Sequence, residues 1–147
     1  MKKLILLFAL FSITMQAQIT KMVTGAHDGD NLKFKGENRQ YRLMGVDAPE
    51  VYSPFVNATQ GMGVESGQFL RNWLKGKEVF VNEYAKTDIY GRKLITCIYN
   101  GLDVSETILA AGMAHYYHSP KLKKEQKRRY QQAEQTAKFE RLGIWGQ

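Results

Sequence analysis

Acidic and arginine side chains recur in three short segments of this 147-residue chain, residues 28–30 (DGD), 41–50 (YRLMGVDAPE) and 88–92 (DIYGR). Aspartate oxygens suit Ca²⁺, which accepts carboxylates, carbonyls and water in a flexible shell. Guanidinium groups stabilise the negative charge that develops on phosphoryl oxygens, often through paired hydrogen bonds, and a further carboxylate can orient or deprotonate an attacking water. Together these residue types fit metal-assisted hydrolysis of a phosphodiester. Each segment by itself is also typical of a turn, a strand end or a surface arginine.

The segment 41–50 carries an arginine and two acids across the expected end of a strand. Strict alternation places Arg42 and Asp47 on opposite faces, because their positions differ by five, an odd number. Both side chains can serve one site only if the strand twists or ends between them. Gly45, or the residues before Pro49, would permit such a break.

The remaining pattern predicts the elements that position these segments. Apolar alternation and β-branched residues predict strands at residues 19–23, 32–35, 41–46, 78–84 and 93–99. Apolar residues between positions 64 and 74 recur at helical spacing, and Asp103 begins a capping box ahead of a second helix. Ser119-Pro120 is typical of the start of a third helix, which is expected to run to about Leu142. This order of elements indicates an α+β domain built on a small barrel.

Composition and charge narrow the class of protein. The chain has 21 Lys and Arg against 14 Asp and Glu, a formal net charge of +7, which favours polyanionic partners such as nucleic acid or an anionic membrane surface. Its apolar and charged contents are ordinary for one globular domain and exclude collagen-like and wholly disordered chains. The single cysteine, Cys97, excludes an internal disulfide and a Cys-rich zinc site, and its apolar neighbours predict a small core residue.

Residues 1–17 have the features of a secretory signal. Two lysines precede an uncharged apolar run at residues 4–15, and Ala17 is the expected cleavage point. The run is shorter than the roughly 20 apolar residues of a membrane-spanning helix, so no membrane anchor is expected after cleavage. The alternative is a buried strand or helix of the domain itself. We expect an exported protein, periplasmic or extracellular, whose residues 18–147 form one monomeric domain.

The three segments, in this order and followed by residues 142–145 (LGIW), resemble the staphylococcal nuclease (thermonuclease) family. The resemblance covers essentially the whole of residues 18–147. It implies a five-stranded OB-type β-barrel with three α-helices. It also implies an endonuclease, a hydrolase acting on ester bonds, that cleaves DNA and RNA with Ca²⁺ and little sequence specificity and leaves 3′-phosphate ends.

The resemblance also implies which residues bind the metal ion. Asp30 and Asp47 would supply side-chain oxygens to Ca²⁺. Ala48 would contribute its backbone carbonyl, a role that needs no particular side chain. Asp28 would stabilise the turn and hold the metal-binding residues in place without binding the metal ion itself. Asn31 follows Asp30 where threonine is common in the family, so hydration around the metal is expected to differ.

Catalysis and substrate binding are assigned by the same resemblance. Glu50 falls at the position of the general base, and Arg42 and Arg92 fall on the two arginines that hold the scissile phosphate. Tyr90 is expected to help hold a flanking phosphate or sugar. Tyr117 is assigned either to stacking on a nucleotide base or to core packing.

Three other features depart from the family pattern or have more than one interpretation. Residues 49–61 form a longer and more apolar stretch than is usual. His115 and His118 have the spacing of a metal pair on a helix, although a structural or substrate-edge role is favoured because no further ligands accompany them. Residues 121–129 (KLKKEQKRR) would follow a nucleic-acid backbone or, as we favour, form a solvated helix face.

Two non-catalytic interpretations compete with a nuclease. An OB module that binds single-stranded nucleic acid would have the same basic charge and aromatic content. A secreted interaction protein on a former nuclease scaffold would also keep the fold. The acids count against both, because Asp30, Asp47 and Glu50 would repel phosphate in the absence of a metal ion.

Overall fold

The computed structural model describes residues 19–51 and 61–146. The predicted signal segment and most of the unusual stretch 49–61 lie outside the described residues. Within the described ranges, no helix has the length and apolar character needed to cross a membrane.

A closed barrel forms the centre of the molecule. The strands are β1 (Ile19–Gly25), β2 (Asn31–Phe34), β3 (Tyr41–Leu43), β4 (Val46–Asp47), β5 (Glu78–Thr87), β6 (Lys93–Tyr99), β7 (Leu102–Asp103) and β8 (His115–Tyr116), and the helices are α1 (Gly63–Leu74), α2 (Val104–Ala110) and α3 (Lys124–Phe139). The main sheet has the order β3-β2-β1-β5-β6-β7, and a parallel pairing of β3 with β6 closes the first five of these strands into the barrel. A separate two-stranded sheet joins β4 to β8. This closed five-stranded barrel with three α-helices confirms the predicted α+β fold.

Alternation along the strands separates the core from the outer surface of the barrel. In β6, Ile95 and Cys97 are fully buried, whereas Leu94 and Ile98 on the opposite face are only half-buried. The core position of Cys97 is as predicted. Burial raises the pKa of its thiol to about 12, so the group stays protonated and inert as a nucleophile at neutral pH.

The third predicted strand is not continuous. β3 ends at Leu43, β4 begins at Val46, and Gly45 between them has a φ of 82°. The Met44 N–H donates to the Ile95 carbonyl at 2.9 Å, so the chain leaves the barrel immediately after this bond. The break occurs at Gly45, one of the two places at which the sequence permits it. It lets Arg42 and Asp47 face one site.

Gly45→Ala is expected to lower the free energy of unfolding by about 2–5 kcal/mol, because it adds a left-handed backbone penalty to overpacking of the core. A Cβ at this position would lie 2.6 Å from the Tyr130 ring and 2.7 Å from Leu122. Urea unfolding measures the change. Gly76→Ala is the control, since Gly76 has a φ of 78° but open space around it. Equal losses in the two variants would contradict the packing argument.

The structure confirms the predicted cap of α2 but not the predicted ends of the third helix. Asp103 caps α2 as expected, because its carboxylate accepts the Glu106 N–H at 3.3 Å. The predicted start of the third helix at Ser119-Pro120 is wrong. The Leu122 N–H donates to the Ser119 carbonyl in a turn that buries Leu122, and α3 begins only at Lys124 and ends at Phe139 rather than near Leu142.

The chain end packs against β8 and the segment that precedes it. A 3₁₀ turn at Gly143–Trp145 follows α3, and the Ile144 N–H donates to the Gly112 carbonyl at 2.9 Å. The Trp145 ring meets His115 edge-on, with centroids 4.8 Å apart. His115 lies in a strand and not on a helix, so its spacing to His118 does not have the helical geometry of a metal pair.

Candidate active site

A cleft of about 530 Å³ opens at one end of the barrel. Four parts of the chain meet there: the β3–β4 break, the residues after β4, the β5–β6 turn and the segment after β8. The structure therefore brings residues of the segments 41–50 and 88–92 together in one cleft, whereas Asp30 and Ala48, which were expected to bind a metal ion, do not line it. The predicted site residues that line the cleft are Arg42, Asp47, Glu50, Tyr90, Arg92 and Tyr117.

Arg42 joins the two carboxylates that the sequence assigned to a metal ion. Its Nη1 lies 2.8 Å from Asp30 Oδ2, and its Nη2 lies 2.6 Å from Asp47 Oδ1. Asp30 is almost fully buried, whereas the Asp47 side chain is 55% exposed. The break at Gly45 is what allows this double contact. One guanidinium thus joins a buried carboxylate that does not line the cleft to an exposed carboxylate that does.

Asp30 lies in an environment that favours an additional cation. Its Oδ2 accepts the Ala48 N–H at 3.2 Å and its Oδ1 accepts the Asn31 amide at 2.7 Å. Burial raises the pKa of Asp30 to about 6; Arg42 and the Ala48 N–H oppose the rise, and Asp47 adds to it. More positive charge nearby would stabilise the ionised form.

The oxygen donors fit a hard divalent cation. Within residues 19–51 and 61–146, no three or more His, Cys, Asp or Glu side chains gather into a ready metal cage. Ca²⁺ needs no such cage, because it accepts backbone carbonyls and waters beside carboxylates. Asp30 and Asp47, which share one guanidinium, supply carboxylate oxygens of this kind, and the bond from the Ala48 N–H to Asp30 Oδ2 places the Ala48 backbone beside them.

Arg92 is held on the other side of the cleft by the β5–β6 turn. Its Nε donates to Asp88 Oδ2 at 2.6 Å, and its guanidinium lies 5.2 Å from the centre of the Tyr90 ring. Asp88 Oδ1 accepts the backbone N–H groups of Tyr90 and Arg92, both at 2.9 Å. Burial works against ionisation of Asp88, but these bonds and the arginine charge lower its pKa. Asp88 therefore fixes both the turn and the arginine.

Asn31 connects the two halves of the site, and sequence reasoning did not predict this role. Its amide nitrogen donates to Asp30 and also to Asp28 Oδ2 at 3.3 Å. Its amide oxygen accepts from Arg92 Nη1 at 3.1 Å. The residue is buried. The available signal was a polar residue directly after DGD and directly before the predicted strand 32–35.

Glu50 lines the cleft, and Asp28 is a buried residue close to it that does not line the cleft. The pKa of Glu50 lies above its ordinary value. Burial and the neighbouring Asp28 raise this pKa by more than the charges of Arg42 and Arg92 lower it. Asp28 Oδ1 accepts the Val51 N–H at 3.2 Å, so this carboxylate holds the chain just after Glu50. This contact is consistent with the supporting role expected for Asp28.

The two tyrosines lie at the exposed rim of the cleft. Tyr90 is 72% exposed and Tyr117 is 58% exposed. The Tyr117 N–H donates to the Gly45 carbonyl at 3.0 Å, which fixes its backbone beside the strand break. Core packing, one of the two interpretations of Tyr117, is therefore wrong. The stacking role stays a prediction.

Comparison with known proteins identifies the family. The sequence profile of the staphylococcal nuclease homologues matches residues 40–147. The chain belongs to this family, and the resemblance seen in the sequence is confirmed.

Individual relatives are similar at modest identity. A protein of Komagataella phaffii named "Probable endonuclease LCL3" is 36% identical over 120 residues, covering 78% of this chain and 52% of the relative. Its namesake in Schizophyllum commune is 32% identical over 125 residues, covering 77% and 42%. An uncharacterised protein of Bacillus anthracis is 32% identical over 122 residues, covering 80% and 56%. The chain thus spans about half the length of these relatives.

Proposed function

We propose that this protein is an exported Ca²⁺-dependent endonuclease that hydrolyses DNA and RNA with little sequence preference and leaves 3′-phosphate ends. The observation that carries the proposal is the convergence of two fixed arginines and three carboxylates on one cleft. Membership of the family and the endonuclease names of two relatives support it. Export rests on the signal-like residues 1–17.

The two arginines would hold the scissile phosphate from opposite sides. Asp88 and Asn31 hold the Arg92 guanidinium in one orientation, with its remaining N–H groups facing the cleft. Binding of a phosphate therefore does not have to order this side chain first. Arg42 already binds two carboxylates and would add a phosphate oxygen to its planar set of donors. Both charges would stabilise the phosphoryl oxygens more strongly in the transition state than in the substrate.

Glu50 would orient the attacking water and accept its proton. Water attacks phosphorus in line with the 5′ oxygen, the P–O5′ bond breaks, and the phosphate stays on the 3′ side. Asp30, Asp47 and the Ala48 carbonyl would hold Ca²⁺, which supplies positive charge to the phosphoryl oxygens when bound. Tyr90 and Tyr117, exposed at the rim, would contact the sugar, phosphate or base next to the scissile bond.

The competing function is a non-catalytic module that binds single strands. It explains the basic charge and the exposed tyrosines equally well. It does not explain why two carboxylates, Asp30 and Asp47, both bind Arg42. These carboxylates reduce the positive charge that Arg42 presents to a phosphate, a disadvantage for a protein that only binds strands.

The deciding experiment incubates the purified protein with single-stranded DNA, duplex DNA and RNA in Ca²⁺ or in excess chelator. A folded Asp47→Ala variant, purified in parallel, excludes a contaminating nuclease. We expect cleavage with Ca²⁺ that disappears with chelator and in the variant. Binding without cleavage, unaffected by Ca²⁺, would instead establish the non-catalytic module.

A further inference from the structure

A second cavity, of about 570 Å³, lies on the outer surface of the barrel and shares no lining residue with the candidate active site. We call it the outer groove. Its floor is formed by outward-facing residues of β5 and β6, and its wall by the start of α3 and the turn before it. Phe80 and Ile98 lie on the floor, and Lys121, Lys123 and Glu125 lie on the wall.

The outer groove adjoins the cleft along β6. Alternate residues of this strand face outwards, and Leu94 lines the cleft while Thr96 and Ile98 line the outer groove. These outward residues span about 14 Å of strand, since a strand rises ~3.4 Å per residue. The chain after β8 repeats the arrangement, because Ser119 lines the cleft and Lys121 the outer groove. A ligand leaving the cleft past Leu94 would enter the outer groove directly.

The wall of the outer groove carries positive charge that described acids do not neutralise. Lys121 and Lys123 are exposed, and neither forms an ion pair with another residue in the described ranges. Glu125 is the one acid among the described lining residues, and it is bound to Arg128 at 2.7 Å. The outer groove therefore favours an anionic ligand. Lys121 and Lys123 precede α3, which begins at Lys124, so they are not on the solvated helix face expected for residues 121–129.

The floor of the outer groove contains an exposed aromatic ring on which such a ligand can stack. Phe80 is 50% exposed on the outer face of β5, whose alternate residues Val79 and Val81 are buried in the core. An exposed ring beside basic side chains is the combination by which single-stranded nucleic acids are bound, with bases stacked on aromatics and phosphates near lysines. Ile98, half-buried next to it, extends the apolar surface.

We propose that the outer groove binds the part of a single-stranded nucleic acid that extends beyond the active site. Phe80 stacks on a base, and Lys121 and Lys123 contact the backbone phosphates. The inference rests on the proposed nuclease function for what occupies the cleft. It predicts that longer strands bind more tightly than short ones, because only they reach the outer groove.

The experiment measures binding and cleavage of oligothymidylates of about 4 and about 16 nucleotides, which bracket the usual site size of one OB fold. Fluorescence anisotropy in chelator gives the Kd, and Ca²⁺ assays give kcat/KM. The variants are Lys121→Ala with Lys123→Ala, and Phe80→Leu, which keeps an apolar side chain but removes the ring. Lys35→Ala with Lys75→Ala is the matched control, because it removes two exposed charges outside both cavities.

For the long oligomer, the lysine pair is expected to raise the Kd on the order of tenfold at 0.1 M salt and to reduce the slope of log Kd against log salt by about 1.4. Phe80→Leu is expected to raise it about 5- to 100-fold. The short oligomer and the control variant should show no such change. A lysine-pair variant that behaves like the control with the long oligomer would overturn the proposal.

Two further outcomes separate the outer groove from the nuclease. If the wild-type protein cleaves nothing but the lysine pair and Phe80→Leu still weaken binding of the long oligomer, the proposed nuclease function fails and the outer groove stands. If the lysine pair weakens binding of an oligoglutamate peptide and not of the oligothymidylate, the ligand is an acidic polypeptide and the proposal is wrong.

Discussion

Arg92→Ala is expected to lower kcat by ~10²–10⁴, the range found when a charge-stabilising donor is removed from a transition state. Arg92→Lys should restore little of it. The guanidinium donates to Asp88 and Asn31 on one side and keeps N–H groups for a phosphate on the other. An ammonium is a point charge and cannot reproduce this planar fork. The measurement is kcat and KM on single-stranded DNA at saturating Ca²⁺.

Arg39→Ala is the control for that prediction. Arg39 is exposed and does not line the cleft, so its removal changes net charge equally without touching the candidate site. Unfolding curves show whether each variant is folded. A folded Arg92→Ala protein with near-normal turnover would show that this arginine does not act on the phosphate.

Glu50→Gln is expected to lower kcat by a similar ~10²–10⁴, as for the loss of a general base. Glutamine keeps the size and hydrogen-bonding capacity of the side chain but cannot accept a proton from water. The backbone of Glu50 is fixed against the start of α1, where a Cβ on Gly63 would collide with the Glu50 carbonyl. The variant should therefore retain its fold, and single-turnover cleavage isolates the chemical step.

Glu65→Gln on the exposed face of α1 is the matched control, since it removes one carboxylate outside the cleft. Its turnover should stay within a factor of about 2 of the wild type, as surface substitutions away from a site usually have small effects. Turnover of Glu50→Gln equal to that of the control would mean that another group, or solvent, takes the proton.

The barrel was predictable because its strands alternate between core and solvent. The apolar pattern of residues 93–99 indicated Cys97 as a core residue, and alternation showed that Arg42 and Asp47 need a break between them. The start of α3 was not predictable from local signals. Ser119-Pro120 is a good helix start by propensity, but burial of Leu122 in a turn against the core prevails over it.

The residues of the candidate site were found from their chemistry and the resemblance, but their connections were not. Nothing in the spacing of Asn31 and Arg92 shows that they are bonded, because the contact depends on how β2 and the β5–β6 turn meet in space. The double contact of Arg42 with Asp30 and Asp47 is of the same kind. Sequence patterns do not predict which distant segments of the chain contact each other.

The parallel pairing of β3 with β6 also has a consequence for how the protein acquires its activity. Tyr41 pairs with Lys93 and Arg42 with Leu94, so closure of the barrel is the step that sets Arg42 near Arg92 from a distant part of the chain. Contacts of such long sequence separation carry a large loop-closure entropy and tend to slow folding. A chain with β1, β2 and β5 assembled but this seam open would lack the paired arginines. The proposed nuclease should therefore recover cleavage during refolding only when the ring is complete, and the return of turnover would report on the seam.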